Sequence, residues 1–279
     1  MALLQVNYLS KALFRTVPLN VILPADKIDD RSFSYAMKPG DKFKTLYLLH
    51  GLLGNYTDWV SGTRIQRWAE EKNLAVVMPS GDNAFYLNSS AAGNDYSTFI
   101  GKELVEVTRN MFPLSERRED TFIAGLSMGG YGAIRNGLVY SETFSHVIGL
   151  SSAVHILEKD PDFFDAEEGL FAGVERGVFG DIRKAAATDA NPKLAFEGLL
   201  EKNRKLPRLY MSCGTEDELY KANTDLRDYF ISKGADVTWD EEKGGHDWDF
   251  WDSQIKKVID WLPLEEADNG LGSGNVKKN

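Results

Sequence analysis

Cysteine is almost missing from this 279-residue chain. Cys213 is the only one, so no disulfide can form within a single copy. That composition suits a reducing compartment. No apolar run approaches the length of a membrane span. The opening residues, MALLQVNYLSKALFR, lack the charged start and long apolar block of a secretory signal. Together these absences lead us to expect a cytoplasmic protein that does not engage membranes. An excess of positive charge is lacking too. The formal net charge of −10 argues against nucleic acid and anionic membranes as main partners, and suits neutral or cationic small ligands. Histidine is scarce, with four in the chain, and no internal repeat is visible.

What remains is an ordinary globular composition, 43% apolar and 27% charged, in a chain long enough to bury a sizeable core. Val6 to Leu13 and Phe14 to Leu23 alternate roughly in twos and predict two antiparallel strands. Short apolar runs follow at Thr45–Leu49, Leu74–Met78, Thr121–Ala124, His146–Leu150, Leu209–Met211 and Val237–Trp239. Helical spacing appears at Ile65–Lys72, Tyr96–Met111, Gly129–Tyr140, Lys221–Lys233 and Phe250–Trp261. This alternation predicts βαβ units: a mostly parallel sheet covered by helices on both faces, with an antiparallel edge from the leading hairpin. One domain is expected over residues 1–266. The mixed stretch at about 155–206 is too long for a simple connection and reads as a helical insertion over the sheet edge, a cap. The tail, residues 267–279, is rich in Gly, Asn and Lys with no apolar face, and is expected to be disordered.

The chemistry centres on Gly125-Leu126-Ser127-Met128-Gly129, a G-x-S-x-G between a strand-like run and a helical one. A nucleophile held there needs a sharp strand-to-helix turn, with small residues two before and two after to let strand and helix approach. Ser127 is therefore the candidate nucleophile. A serine needs a base, and the base an orienting acid, in chain order Ser, acid, His for such an elbow. His50 precedes the serine. His146 and His155 come before any acid-bearing loop. His246, in the glycine-flanked GGHDWDFWD, has the right place. For the acid, CGTEDELY after the run Leu209–Met211 offers Glu216, Asp217 and Glu218. Asp217 is preferred for its short side chain, and Asp247 reads as solvated or structural. Two backbone donors for an oxyanion are expected from Met128 and from Leu52, in the glycine turn His50-Gly51-Leu52. Gly51 belongs to the same binding turn. Trp59 is open to two readings, a wall of the acyl pocket or a core aromatic. Phe163, Phe164 and Phe171 of the insertion are the other candidate substrate contacts.

YLLHGLLGNYTDW, AGLSMGGYGAIRNGL, YMSCGTEDELY and GGHDWDFWD, in this order and spacing, resemble the bacterial tributyrin-esterase group of the esterase D / S-formylglutathione hydrolase-like family. The resemblance spans nearly the whole chain before the tail. It implies an α/β-hydrolase fold and a cytoplasmic serine carboxylesterase for short acyl esters, working without a cofactor or metal. It also implies Ser127, Asp217, His246, Leu52 and Met128 in the roles given above, and a homo-oligomer is compatible with it. Other members are acetylxylan and feruloyl esterases, glutathione thioesterases and acyltransferases. The S-formylglutathione hydrolases carry a cysteine shortly after the glycine-leucine; GLLGNYTDW has none.

Overall fold

The computed structural model describes residues 1–29, 31–89, 93–265 and 271. The expected tail lies outside these residues, apart from Leu271, which pairs with Ile28. The chain opens with a hairpin of β1 (Ala2–Ser10) and β2 (Arg15–Leu23). The hairpin pairs in antiparallel register from Ala2 opposite Leu23 to Ser10 opposite Arg15. The first strand thus begins earlier and stops earlier than its alternation predicts. Residues 11–14 are spent on the turn, where Phe14 takes a positive φ of 48°. That turn is tied down by Ser10 Oγ, which accepts from Leu13 N–H, and by Glu103, which accepts from Lys11 and Ala12 N–H.

β3 (Lys44–Leu49) leads into α1 (Asp58–Gly62) and α2 (Ile65–Glu71), then β4 (Leu74–Pro79). The predicted helix from Tyr96 is present, but it is interrupted. α3 (Tyr96–Thr98) passes through a π-helical turn, Phe99–Glu103, into α4 (Leu104–Met111). β5 (Thr121–Leu126), α5 (Met128–Val139) and β6 (His146–Leu150) follow. After β6 come α6 (Pro161–Ala166), α7 (Leu170–Phe179), α8 (Ile182–Ala186) and α9 (Pro192–Glu201). β7 (Arg208–Gly214), α10 (Tyr220–Ser232), β8 (Val237–Glu242) and α11 (Trp248–Trp261) end the domain.

The eight strands form one sheet in the order β1-β2-β4-β3-β5-β6-β7-β8. β1, β2 and β4 pair antiparallel, and every pairing from β4 to β8 is parallel. β3, β4, β5 and β6 are apolar runs because both of their faces are covered. Along β3 the side chains alternate between two cores. Leu46 and Leu48 pack with Trp59, Trp68 and Ile255, beneath α1, α2 and α11. Tyr47 and Leu49 pack with Leu104, Ile134 and Phe230, beneath α4, α5 and α10. The fold is an α/β-hydrolase fold with an antiparallel edge.

Strand order reverses at β3, which has β4 on one side and β5 on the other. A ligand site in an open α/β sheet lies at the carboxyl ends of the strands flanking such a reversal. Here those ends are His50 after β3 and Ser127 after β5.

The stretch after β6 divides in two. α9 is an ordinary covering helix: Phe196 and Leu199 are buried in the core against α5 and α10. Its approach is fastened to α5, where Tyr131 Oη donates to the Ala190 carbonyl at 2.7 Å and Arg135 pairs with Asp189 at 2.7 Å. α6 and α7 lie toward the strand ends and carry exposed apolar side chains, Phe163, Leu170 and Phe171.

Candidate active site

β5 ends at Leu126 and α5 begins at Met128, leaving Ser127 alone to make the turn. Its backbone sits at φ 53°, ψ −119°, a conformation costing of order 1–3 kcal/mol that persists only where the surroundings impose it. They do so from three sides. Ser127 N–H donates to the Leu150 carbonyl at the end of β6, and Ser127 C=O accepts from Ala153 and Tyr131 N–H. The flanking glycines are needed for space. A Cβ on Gly125 would fall 2.2 Å from the Gly129 carbonyl oxygen. One on Gly129 would fall 2.5 Å from the carbonyl oxygens of both Leu49 and His50. Strand β3, strand β5 and helix α5 therefore meet backbone to backbone under the serine.

The loop after β8 carries His246 to this turn. Its Nε2 lies 3.0 Å from Ser127 Oγ, and its Nδ1 lies 2.9 Å from Asp217 Oδ2. With Nδ1–H donating to the carboxylate, Nε2 is left to accept from the serine hydroxyl. Gly214, at the end of β7, is what lets the acid and histidine loops lie together: a Cβ there would meet the Gly244 carbonyl oxygen at 2.2 Å. Asp217 is buried, and its other oxygen accepts from Leu219 N–H at 2.8 Å. Burial alone would favour the neutral acid. Hydrogen bonds from His246, Leu219 N–H and the Ser151 hydroxyl outweigh it and hold the carboxyl below its usual range. Glu216, the rival acid, is exposed and pairs with Lys243 instead. Asp247 caps α11, its Oδ1 accepting from Phe250 N–H at 3.0 Å.

The other histidines are accounted for elsewhere. His50 is buried below the turn. Its Nδ1 donates to the Gly51 carbonyl and its Nε2 accepts from Gly81 N–H, and burial pushes its pKa down. His146 lies in β6, edge-on to Phe122 and Trp261. Burial and then Arg208 lower its pKa to about 4. His155 lines the cavity described next.

A cavity of about 650 Å³ opens on Ser127 and His246. Gly51, Leu52, Met128 and Phe171 are among its lining residues. Leu52 and Met128 N–H make no backbone hydrogen bond among the described residues. Trp59 is not part of this wall. It is a core aromatic, 1% exposed, whose Nε1 donates to the Leu49 carbonyl and whose ring meets Trp248 edge-on. Trp248 takes the wall position instead. Phe164 is 1% exposed and turned into the core, and Phe163, 59% exposed, is not among the residues lining the cavity. On a helix, successive residues point about 100° apart, so neighbours cannot share one wall.

Several residues at the site were not identified from the sequence. Trp251 stands edge-on to His246, with ring centroids 4.9 Å apart, and its Nε1 donates to Ser151 Oγ at 3.3 Å. The spacing of Trp248 and Trp251 within GGHDWDFWD is a readable signal, since residues three apart share a helix face. Lys159, Glu167, Glu175 and Glu218 also line the cavity. Glu218 is named from the sequence only as a candidate acid, and nothing local marks the other three.

Known proteins share this architecture. The family model described as "Putative esterase" matches residues 10–262. An acetyl esterase of Caldicellulosiruptor saccharolyticus is 40% identical over 94% of this chain and 98% of its own. The apoenzyme of a Staphylococcus aureus S-formylglutathione hydrolase superposes with a TM-score of 0.79 at 32% identity, covering 94% of this chain and 98% of that one. A substrate-bound fluorophosphonate-binding serine hydrolase from the same organism gives 0.80 at 31% identity, with the same coverage. Among the described residues no helix is long and apolar enough to cross a membrane.

Proposed function

The chain belongs to the esterase family, in its esterase D / S-formylglutathione hydrolase-like branch, and is a serine carboxylesterase; from that premise we propose that it hydrolyses short-chain acyl esters through Ser127, His246 and Asp217. The observation that carries this reading is the hydrogen-bonded row from Ser127 Oγ to His246 Nε2 at 3.0 Å and from His246 Nδ1 to Asp217 at 2.9 Å.

In this mechanism Ser127 Oγ attacks the ester carbonyl as His246 Nε2 takes its proton. Asp217, ionised and buried, holds the ring in the tautomer with Nδ1 protonated and stabilises the imidazolium. The carbonyl oxygen becomes an oxyanion against Leu52 and Met128 N–H, at the amino end of α5, where the helix dipole also favours negative charge. The imidazolium then protonates the departing alcohol. Water enters, gives its proton to His246, and attacks the acyl-serine; collapse of the second tetrahedral intermediate returns Ser127 and the acid.

Preference for short acyl groups draws support from the acetyl esterase relative. A thioesterase reading draws on the S-formylglutathione hydrolase relative, but the stretch after Gly51-Leu52 has no cysteine. The lone buried Cys213 supports a cytoplasmic setting.

The test is a nitrophenyl ester series from acetyl to octanoyl, run on the protein and on Ser127→Ala. The expected outcome is a sharp drop in kcat/KM beyond butanoyl. Turnover in the folded variant should fall by roughly 10⁴-fold or more. Ordinary turnover by Ser127→Ala would end the reading of the site. A flat series would end the short-chain part alone.

A further inference from the structure

We propose that this site selects esters by the charge of the alcohol they release, accepting cationic and neutral alcohols and turning away anionic ones, with Glu218 as the main determinant. The proposal rests on the reading of Ser127 and His246 given above.

Five carboxylates line the cavity, from Asp58, Glu167, Glu175, Glu218 and Asp247, against one ammonium, from Lys159. That ammonium is already claimed. Lys159 Nζ lies 2.8 Å from Glu167 and 2.7 Å from Glu175, so the trio carries a net negative charge even when fully paired. Asp247 and Asp58 accept from backbone N–H groups, of Phe250 and Asn55, which leaves their charge in place. His155 supplies no second cation. Burial and then Lys159 push its pKa down, and its Nδ1 is shut from solvent without a hydrogen-bond partner among the described residues. Glu218 differs from the other four. It is exposed on the cavity wall and has neither a hydrogen bond nor an ion pair among the described residues. Its charge is therefore open to whatever enters.

Position decides which half of the substrate feels this field. Glu218 follows Asp217 in the chain, and Asp247 follows His246. Both line the cavity that opens on His246. His246 must hand its proton to the leaving alcohol, so the alcohol lies against the imidazole, while the acyl oxygen faces Leu52 and Met128. Phe85, Leu126 and Ile156 give the cavity low-dielectric walls as well. In such a cleft field lines are focused rather than dissipated into water.

The experiment uses three acetyl esters of similar size: acetylcholine, 2-methoxyethyl acetate and 3-acetoxypropanoate. Acid release is followed by pH-stat, and each kcat/KM is divided by that ester's rate with hydroxide. The expected order is cation, neutral, anion, with a cation-to-anion ratio on the order of 10 or more. The ratio should fall several-fold in Glu218→Gln. It should approach one at about 1 M salt, where the Debye length is about 3 Å. A ratio at or below one, with the neutral ester well hydrolysed, overturns the inference and leaves the esterase reading standing. A ratio erased by salt but unmoved by Glu218→Gln overturns the role of Glu218. Failure of the folded protein to hydrolyse any of the three overturns the reading of the site, and this proposal with it.

Discussion

The turn at Ser127 and the wall formed by α7 with Lys159 and Glu167 border one cavity but are held in opposite ways. The turn is backbone packed on backbone. Ser127 is fixed through its own N–H and C=O, and its flanking glycines leave no room for a methyl group. This wall is held by side chains, through the Lys159 ion pairs and through Arg176, which donates to the carbonyls of Phe164 and Glu167. Gly173 and Gly177, in the middle of α7, have nothing within 4 Å of where a Cβ would stand. A rigid frame suits atoms that must meet within tenths of an ångström. A side-chain wall can be altered without disturbing them, and selectivity is the property most easily altered there.

The largest expected break of this contrast is Gly129→Ala. Its methyl would press on the carbonyl oxygens of Leu49 and His50, where β3 passes into the loop that carries Leu52. Overpacking of this kind costs about 1–3 kcal/mol. Thermal unfolding should shift down, and kcat should fall with it, because the donor loop and the serine turn are forced apart. Normal stability and activity would mean that the contact is slack.

Acid should expose the sheet next. His146 is held neutral down to about pH 4 by burial in β6, whereas an unfolded histidine takes up its proton near pH 6.5. Between those values the unfolded chain binds a proton that the folded chain refuses, so stability falls as pH drops through that window and is unaffected above it. His146→Asn should flatten the slope of Tm against pH there, and an unchanged slope would show that other groups govern it.

Phe171 and Phe163 sharpen the other side of the comparison. Both are exposed on the insertion, but only Phe171 borders the cavity. Phe171→Ala should raise KM roughly three- to tenfold, about 1 kcal/mol of lost contact, with kcat little changed. Phe163→Ala should leave both constants alone, and equal effects from the two would erase the distinction. The smallest effect is expected from Gly173→Ala. In an open helical position it should stabilise by roughly 0.5–1 kcal/mol, opposite in sign to Gly129→Ala. Destabilisation would mean that α7 is packed as tightly as the turn.

Legibility in the sequence follows the same division. The strands β3 to β7 are legible as short apolar runs because helices cover both faces of the sheet there, whereas β8, part-exposed at the sheet edge, shows only its first residues as such a run. Ser127 was readable because the turn demands small residues at fixed offsets, and His246 because chain order left it alone after the acid loop. The alternation places the boundary between β1 and β2 too late because a pattern of period two runs on through the turn. Phe163 and Phe164 could not be told apart, nor Trp59 assigned, because a side chain's direction depends on how its helix is rolled against its neighbours. The double nature of the stretch after β6 is also hidden, since its pattern is mixed and no single period separates α9 from α7.

Residue types at short spacing determined the layered fold, the turn and the candidate reacting groups, because those depend on local sterics and burial. The meeting of Asp217, His246 and Ser127 in one row was decided by tertiary structure alone. So were the place of Phe171 on the cavity wall and the lack of an ion-pair partner for Glu218 among the described residues, because each depends on segments far apart in the chain.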